Sequence, residues 1–286
     1  MKPDQRFVKQ PKHFWANVRS LSQKLGYTAK GGAGQIKIFS IPDIVGGLRA
    51  LSLSPAHVVD AKGQPTAFGT TLHDYFVYRA AVLNDYVRPR LMDKKRAAKE
   101  FQALYKKLKP RCPIPMNKQK GEKHGEAYLT GIINMLVEQG IGELACDYDP
   151  RVLTTITRDG VPVRTLSRRV DGAFPRIINP VAIWEVKEYY NTKTFGSRVA
   201  DGVYETLLDG MELEELLEHE KIEVKHYLMV DDEFTWWDCG RSYLCRIIDM
   251  LHMGYVDEVL FGYEVIERLP VIAKQWAEIE RNRPKG

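Results

Sequence analysis

The sequence predicts a mixed α/β (α+β) protein, with a mainly helical, basic N-terminal part and a C-terminal part in which strands alternate with helices. Three observations predict it. Apolar residues recur at helical spacing as far as Leu108; the stretch Pro110 to Pro115 (PRCPIP) carries three prolines that cannot continue a helix; and from Gly121 onward runs of β-formers alternate with amphipathic segments. The proline stretch is the expected boundary between a basic domain over 1–110, a candidate DNA-binding unit, and a second domain over 120–286.

In the N-terminal part, Phe14, Trp15, Val18, Leu21 and Leu25 predict a helix over 11–26. The GGAG of residues 31–34 lacks a GxGxxG or GK[ST] continuation, so 28–34 is expected to be a turn and not a phosphate cradle. Residues 35–40 have the composition of a short strand, and Ser40-Ile41-Pro42-Asp43 is a helix entry leading into 41–51. Helix, glycine loop, strand and helix in this order fit a winged-helix-like reader of DNA and equally many plain helical domains. Leu72, Tyr75, Phe76, Tyr78, Ala80 and Leu83 predict a helix over 70–91, inside which His73 has no partner at metal-ligand spacing. A basic helix over 93–108 follows.

Beyond the prolines, Tyr128, Leu129, Ile132, Ile133, Leu136 and Val137 form an apolar stripe that predicts a helix over 121–139, with Glu126 near its start and Glu122 before it. Residues 151–157 and 161–166 alternate around Asp159-Gly160, a turn dipeptide suited to a tight hairpin. Asp171 closes a short apolar run, and 181–190 is a strand followed by a polar, basic stretch containing Lys193, Ser197 and Arg198. A helix over 199–219, a strand over 224–230, a helix over 242–253, a strand centred on 259–263 and a helix over 270–281 complete the chain. Trp236 and Trp237, between them, are expected to pack under a loop, the alternative being a platform for a nucleobase.

The 181–190 strand carries the chemistry. Side chains two apart on a strand share a face, so Val181, Ile183, Glu185 and Lys187 point one way and Ala182, Trp184, Val186 and Glu188 the other. An apolar strand that turns two charges to one side is expected to end at a cleft. Asp171 and Glu185 together could hold a hard cation such as Mg2+ through oxygen and leave positions open for water and a phosphate. Lys187 would orient or deprotonate the attacking water and offset charge on the phosphate.

Asp171 followed by Glu185-Val186-Lys187 resembles the D…(D/E)xK signature of the PD-(D/E)xK nuclease superfamily, which includes many type II restriction endonucleases. Val170 stands where the naming proline would be. The resemblance covers the C-terminal 165 residues or so and implies a restriction-endonuclease-like αβββαβ core. It implies Asp171, Glu185 and the carbonyl of Val186 as metal ligands, Lys187 as the water-positioning residue, and Glu126 as a helical acid sharing the site. Mg2+, with Mn2+ as a substitute, is the implied cofactor, and a homodimer cutting double-stranded DNA to 5'-phosphate ends is the implied assembly. A repair or recombination nuclease, an RNA-directed enzyme and a non-catalytic DNA-binding regulator are the alternatives.

Charge distribution agrees with a nucleic-acid partner. The chain is +5 overall, yet residues 88–123 hold thirteen Lys or Arg against three acids, while 201–223 holds nine acids against Lys221. Lys94, Lys95 and Arg96 open the basic helix and are candidate phosphate contacts, with Lys193, Ser197 and Arg198 as further ones. No run of about 18 apolar residues and no apolar signal core is present, and Cys112, Cys146, Cys239 and Cys245 lack CxxC spacing. These features predict a cytoplasmic protein with free thiols and no membrane partner.

Overall fold

The structure, a computed structural model, describes residues 1–8, 10–29, 35–119, 122–191 and 196–283. The N-terminal helices are α1 (Gln5–Val8), α2 (Lys12–Leu25), α3 (Ile41–Arg49) and α4 (Ala67–Ala81), the last running on through a π-helical turn over Val82–Val87 and a 3-10 turn over Arg88–Arg90. Ser40 and Asp43 cap α3 reciprocally, each side chain accepting from the other's backbone N–H. Phe14, Val18, Leu21, Ile44, Leu72 and Phe76 meet in one fully covered cluster. The expected strand at 35–40 is a single bridge between Thr28 and Ile36. A winged-helix sheet is therefore not formed there among the described residues.

Next come α5 (Lys94–Leu108), β1 (Met116–Gln119), β2 (Glu122–Glu126), α6 (Tyr128–Ile141), β3 (Asp147–Tyr148), β4 (Thr155–Arg158), β5 (Val161–Thr165), β6 (Gly172–Phe174) and β7 (Ala182–Glu188). They are followed by α7 (Ser197–Glu220), β8 (Lys225–Asp231), a π-helical turn over Phe234–Cys239, α8 (Arg241–His252), β9 (Glu258–Phe261) and α9 (Glu264–Arg281). The Asp93 side chain caps α5, and Lys109, at φ 49, ends it in the left-handed region.

One five-stranded mixed sheet, in the order β3-β6-β7-β8-β9, forms the centre. β6 pairs antiparallel with both β3 and β7, whereas β7, β8 and β9 run parallel. Each parallel step needs a crossover, supplied by α7 and α8. Period-two alternation sorts the faces: Trp184, Tyr227 and Met229 pack with α6 and α9, while Ile183, Leu228 and Val230 turn toward α7 and α8. Gly172 faces Trp184 across the β6–β7 pair, and a Cβ there would stand 2.1 Å from the indole ring, so only glycine fits.

Several expected elements are displaced. The first core strand is β3, two residues long, and the expected hairpin β4–β5 forms its own small sheet. Its turn holds Asp159 at φ 51 and Gly160 at φ 79, the paired positive φ that a two-residue hairpin loop needs. Residues 122–126 are extended and not helical, so Glu126 lies on a strand opposite Met116. α9 starts six residues before Pro270 and contains it. Ala97 and Phe101 of α5 lie in the same core cluster as Leu129 and Ile132 of α6, so the basic helix packs beyond the proline stretch. Trp236 and Trp237 are buried, the packing role expected of them. No helix among the described residues is long and apolar enough to cross a membrane.

The N-terminal helices are fastened to α8 by a buried ion pair. Arg79 donates to both carboxylate oxygens of Asp249 at 3.0 Å, and the Tyr75 hydroxyl donates to the same group at 2.6 Å.

Candidate active site

β7 carries Glu185 and Lys187 on the face that meets α7, as its period-two pattern requires. Glu185 is completely buried and Lys187 is 7% exposed. Lys187 Nζ donates to Glu185 Oε2 at 2.8 Å and to Glu205 Oε2 of α7 at 3.2 Å. Gly202, one turn earlier on α7, lets the helix come this close to the lysine stem. Asp171 stands one residue before β6, held by Asp171 N–H to the Trp184 carbonyl at 3.1 Å. Its Oδ2 accepts the Val186 N–H at 2.7 Å, which brings the acid to the β7 segment carrying Glu185 and Lys187.

Arg168 closes the arrangement. Its Nη2 donates to Glu185 Oε2 at 3.0 Å and to Glu205 Oε2 at 3.4 Å, and its Nη1 donates to Asp209 Oδ2 at 2.5 Å. Four carboxylates, Asp171, Glu185, Glu205 and Asp209, thus surround two cations. Beside Asp171 a groove of about 520 Å³ includes Arg151, Arg168 and Arg169 in its lining, and a second of about 310 Å³ includes Asn134 and Val186. A larger groove of about 980 Å³, with Asn179, Val224 and Arg283 in its wall, lies toward the opposite ends of β7 and β8 and contains none of these groups.

Titration follows from burial and neighbours. Burial alone would neutralise Lys187, but Glu185, Asp171 and Glu205 outweigh it and hold its ammonium above the usual lysine range. Burial likewise favours a neutral Glu185, and the charges of Lys187 and Arg168 reverse that, keeping it below the ordinary carboxylate range. Asp171 is pushed up to about 6, first by the protein packed around its carboxyl and then by Glu185, although part of its side chain is exposed. Burial and Glu185 push Asp209 up to about 7. Glu188 points to the other face, where it accepts from the Thr130 N–H and hydroxyl at 3.1 and 3.0 Å near the N-terminus of α6, a structural role.

Of the expected site residues, the structure brings together Asp171, Glu185, Val186 and Lys187. Glu126 is on β2, and the acids that join Lys187 and Arg168 from a helix are Glu205 and Asp209 of α7. Lys94, Lys95 and Arg96 are exposed at the start of α5, and Lys94 donates to Asn191 at 2.5 Å, just past the lysine end of β7. Ser197 is the exposed first residue of α7; Lys193 and the side chain of Arg198 lie outside the described residues. Arg168, Glu205 and Asp209 went unassigned in the sequence. Their available signals were an i,i+4 acid pair on the helix after the charged strand and an arginine three residues before Asp171. Among the described residues no group of three or more His, Cys, Asp or Glu side chains forms a metal-ligand cluster. The candidate set is two carboxylates and a main-chain carbonyl.

A family model described as Domain of unknown function (DUF7687) matches residues 92–276, more than half of the chain. The chain belongs to the DUF7687 family. A second model, Domain of unknown function (DUF7690), matches residues 1–86. Comparison with curated proteins and with solved structures returned no match. Asp171, Glu185, Lys187, Arg168, Glu205 and Asp209 all fall within the DUF7687 portion, whose start coincides with the basic helix α5.

Proposed function

We propose that this DUF7687 protein is a metal-dependent endonuclease that hydrolyses phosphodiester bonds in double-stranded DNA. The observation that carries the reading is the convergence of Asp171, Glu185 and Lys187 at one end of β7, joined through the Val186 N–H. The sequence of elements α6, β3, β6, β7, α7 and β8 supports a restriction-endonuclease-like αβββαβ core, with the acids next to its second strand and on its third. Fold order alone would not argue activity; the site chemistry does.

The residues fit a hard divalent cation. Glu185 Oε1 is buried and accepts no hydrogen bond, its neighbour being the Arg168 guanidinium at 2.9 Å, and Asp171 uses Oδ2 for Val186 while the residue stays exposed. Asp171, Glu185 and the Val186 carbonyl would hold Mg2+ or Mn2+, which when bound acidifies a water molecule and offsets phosphate charge. Lys187 stays protonated, so it orients a water or phosphate oxygen and stabilises developing negative charge instead of accepting a proton. The exposed Arg169 in the groove beside Asp171 and the exposed start of α5 offer positive charge to a phosphate backbone.

A sequence-specific, type II restriction-like enzyme working as a homodimer is the specific form proposed. The test is cleavage of unmethylated phage and plasmid DNA with Mg2+, alongside Asp171→Asn. Discrete bands absent in the variant are expected. A smear points to a repair-type or nonspecific nuclease, and tight binding without any Mg2+-dependent cleavage overturns the nuclease in favour of a DNA-binding regulator.

A further inference from the structure

We infer that Arg168 is a displaceable counter-cation: it occupies Glu185 in the metal-free site, and a divalent ion must move it onto the α7 acids Asp209 and Glu205 to bind. The inference rests on the metal-site reading of Asp171 and Glu185 and adds how access to that site is controlled.

Both oxygens of Glu185 are covered. Oε2 receives Lys187 at 2.8 Å and Arg168 Nη2 at 3.0 Å. Oε1 is out of contact with solvent, accepts no hydrogen bond, and has Arg168 Nη1 at 2.9 Å. A metal ion approaching Oε1 therefore meets a guanidinium first. An arginine remains charged throughout the working pH range, so the guanidinium and a divalent ion at Oε1 repel each other.

The same guanidinium already has a second seat. Nη1 donates to Asp209 Oδ2 at 2.5 Å and Nη2 reaches Glu205 at 3.4 Å, both from one side of α7 at i and i+4. Asp209 is completely buried and its other oxygen, Oδ1, has no hydrogen-bond partner. An acceptor left open beside a planar five-donor fork allows Arg168 to rotate off Glu185 without losing its pairing. Arg168 is thus a positioning residue that guards the site when no metal is bound.

Mn2+ binding to the purified full-length protein, without DNA and followed by electron paramagnetic resonance, tests this. Removing a charge-assisted competitor predicts that Arg168→Gln binds Mn2+ about tenfold more tightly than wild type. Asp209→Asn removes the second seat and lowers Mn2+ affinity. Arg168→Lys separates displacement from a general field effect: a field effect leaves its affinity at the wild-type value, whereas displacement raises it, since one ammonium cannot span Glu185 and Asp209. Melting curves confirm that each variant is folded, and Arg168→Lys carries the test if Arg168→Gln does not fold. Wild-type or weaker Mn2+ affinity in folded Arg168→Gln, or wild-type affinity in Arg168→Lys, overturns the inference while leaving the metal site standing. No Mn2+ binding at millimolar concentration in any of the proteins overturns the metal site itself.

Discussion

Replacing Gly202 by alanine separates the geometry of the site from the stability of the fold. A Cβ at 202 would stand 3.0 Å from Lys187 Cδ, 3.1 Å from its Cε and 3.1 Å from the Tyr189 hydroxyl. Carbon pairs prefer about 3.5–4.0 Å, so the lysine stem must give way by a few tenths of an ångström. Its ammonium is anchored at 2.8 and 3.2 Å to Glu185 and Glu205, and that shift strains both bonds. Overpacking costs about 1–3 kcal/mol, and alanine returns about 1 kcal/mol of helix propensity within α7. The net loss of about 0–2 kcal/mol, spread over the unfolding entropy of 286 residues, lowers the melting temperature by about 0–3 °C. Misplacement of a catalytic group by 1 Å costs about 100-fold, so a smaller shift predicts a rate loss of about tenfold. Single-turnover DNA cleavage and thermal melting on the same preparation measure the two effects. Wild-type cleavage at unchanged stability would refute the view that α7 sets the position of Lys187; loss of the fold would refute the packing estimate.

Other outcomes follow from the same geometry. Arg79→Met leaves Asp249 buried with Tyr75 as a remaining donor, and breaking such a pair costs about 3–5 kcal/mol, a melting decrease of about 5–8 °C by calorimetry. Burial raises Asp231 to about 8 against the hydrogen bonds of Tyr190, Met92 and Asp232 that favour its charged form. The folded protein then binds a proton between the ordinary value of 3.8 and about 8 that the unfolded chain does not, so stability contributed here falls as pH rises through that window. Asp231→Asn is expected to flatten the stability difference between pH 5 and pH 8 in urea unfolding. Converting Lys94, Lys95 and Arg96 to Gln should weaken DNA binding and reduce the log affinity against log salt slope by up to about 3, read by fluorescence anisotropy.

The β7 side-chain pattern was legible because strand periodicity and burial agree: apolar residues face both helical layers until Glu185 and Lys187 turn toward α7. The hairpin at Asp159-Gly160 was legible for the same local reason, a turn that two positive-φ residues favour. Other features depend on distance along the chain. β3 is two residues long and exists through its pairing with β6, which no periodicity of 147–148 announces. Glu126 looked like a helix-start acid because the apolar stripe of α6 begins at Tyr128, but Met116 pairs with it and extends it into a strand. Glu205 and Asp209 were hidden among nine acids over 201–223, since only the packing of α7 on β7 distinguishes them from solvated neighbours. Pro270 looked like a helix start, yet the helix begins at Glu264 and accommodates it in its second turn.

The proposed function has Asp171, Glu185 and Lys187 cutting DNA with a metal ion. Its most direct test compares wild type with Lys187→Met on supercoiled plasmid, with Mg2+ or with EDTA. Cleavage is expected to require Mg2+ and to fall by about 100-fold or more in the variant, the loss typical of removing one charge-stabilising donor. Plasmid that stays supercoiled with wild type in Mg2+ and in Mn2+, or cleavage that survives EDTA and Lys187→Met alike, would contradict it.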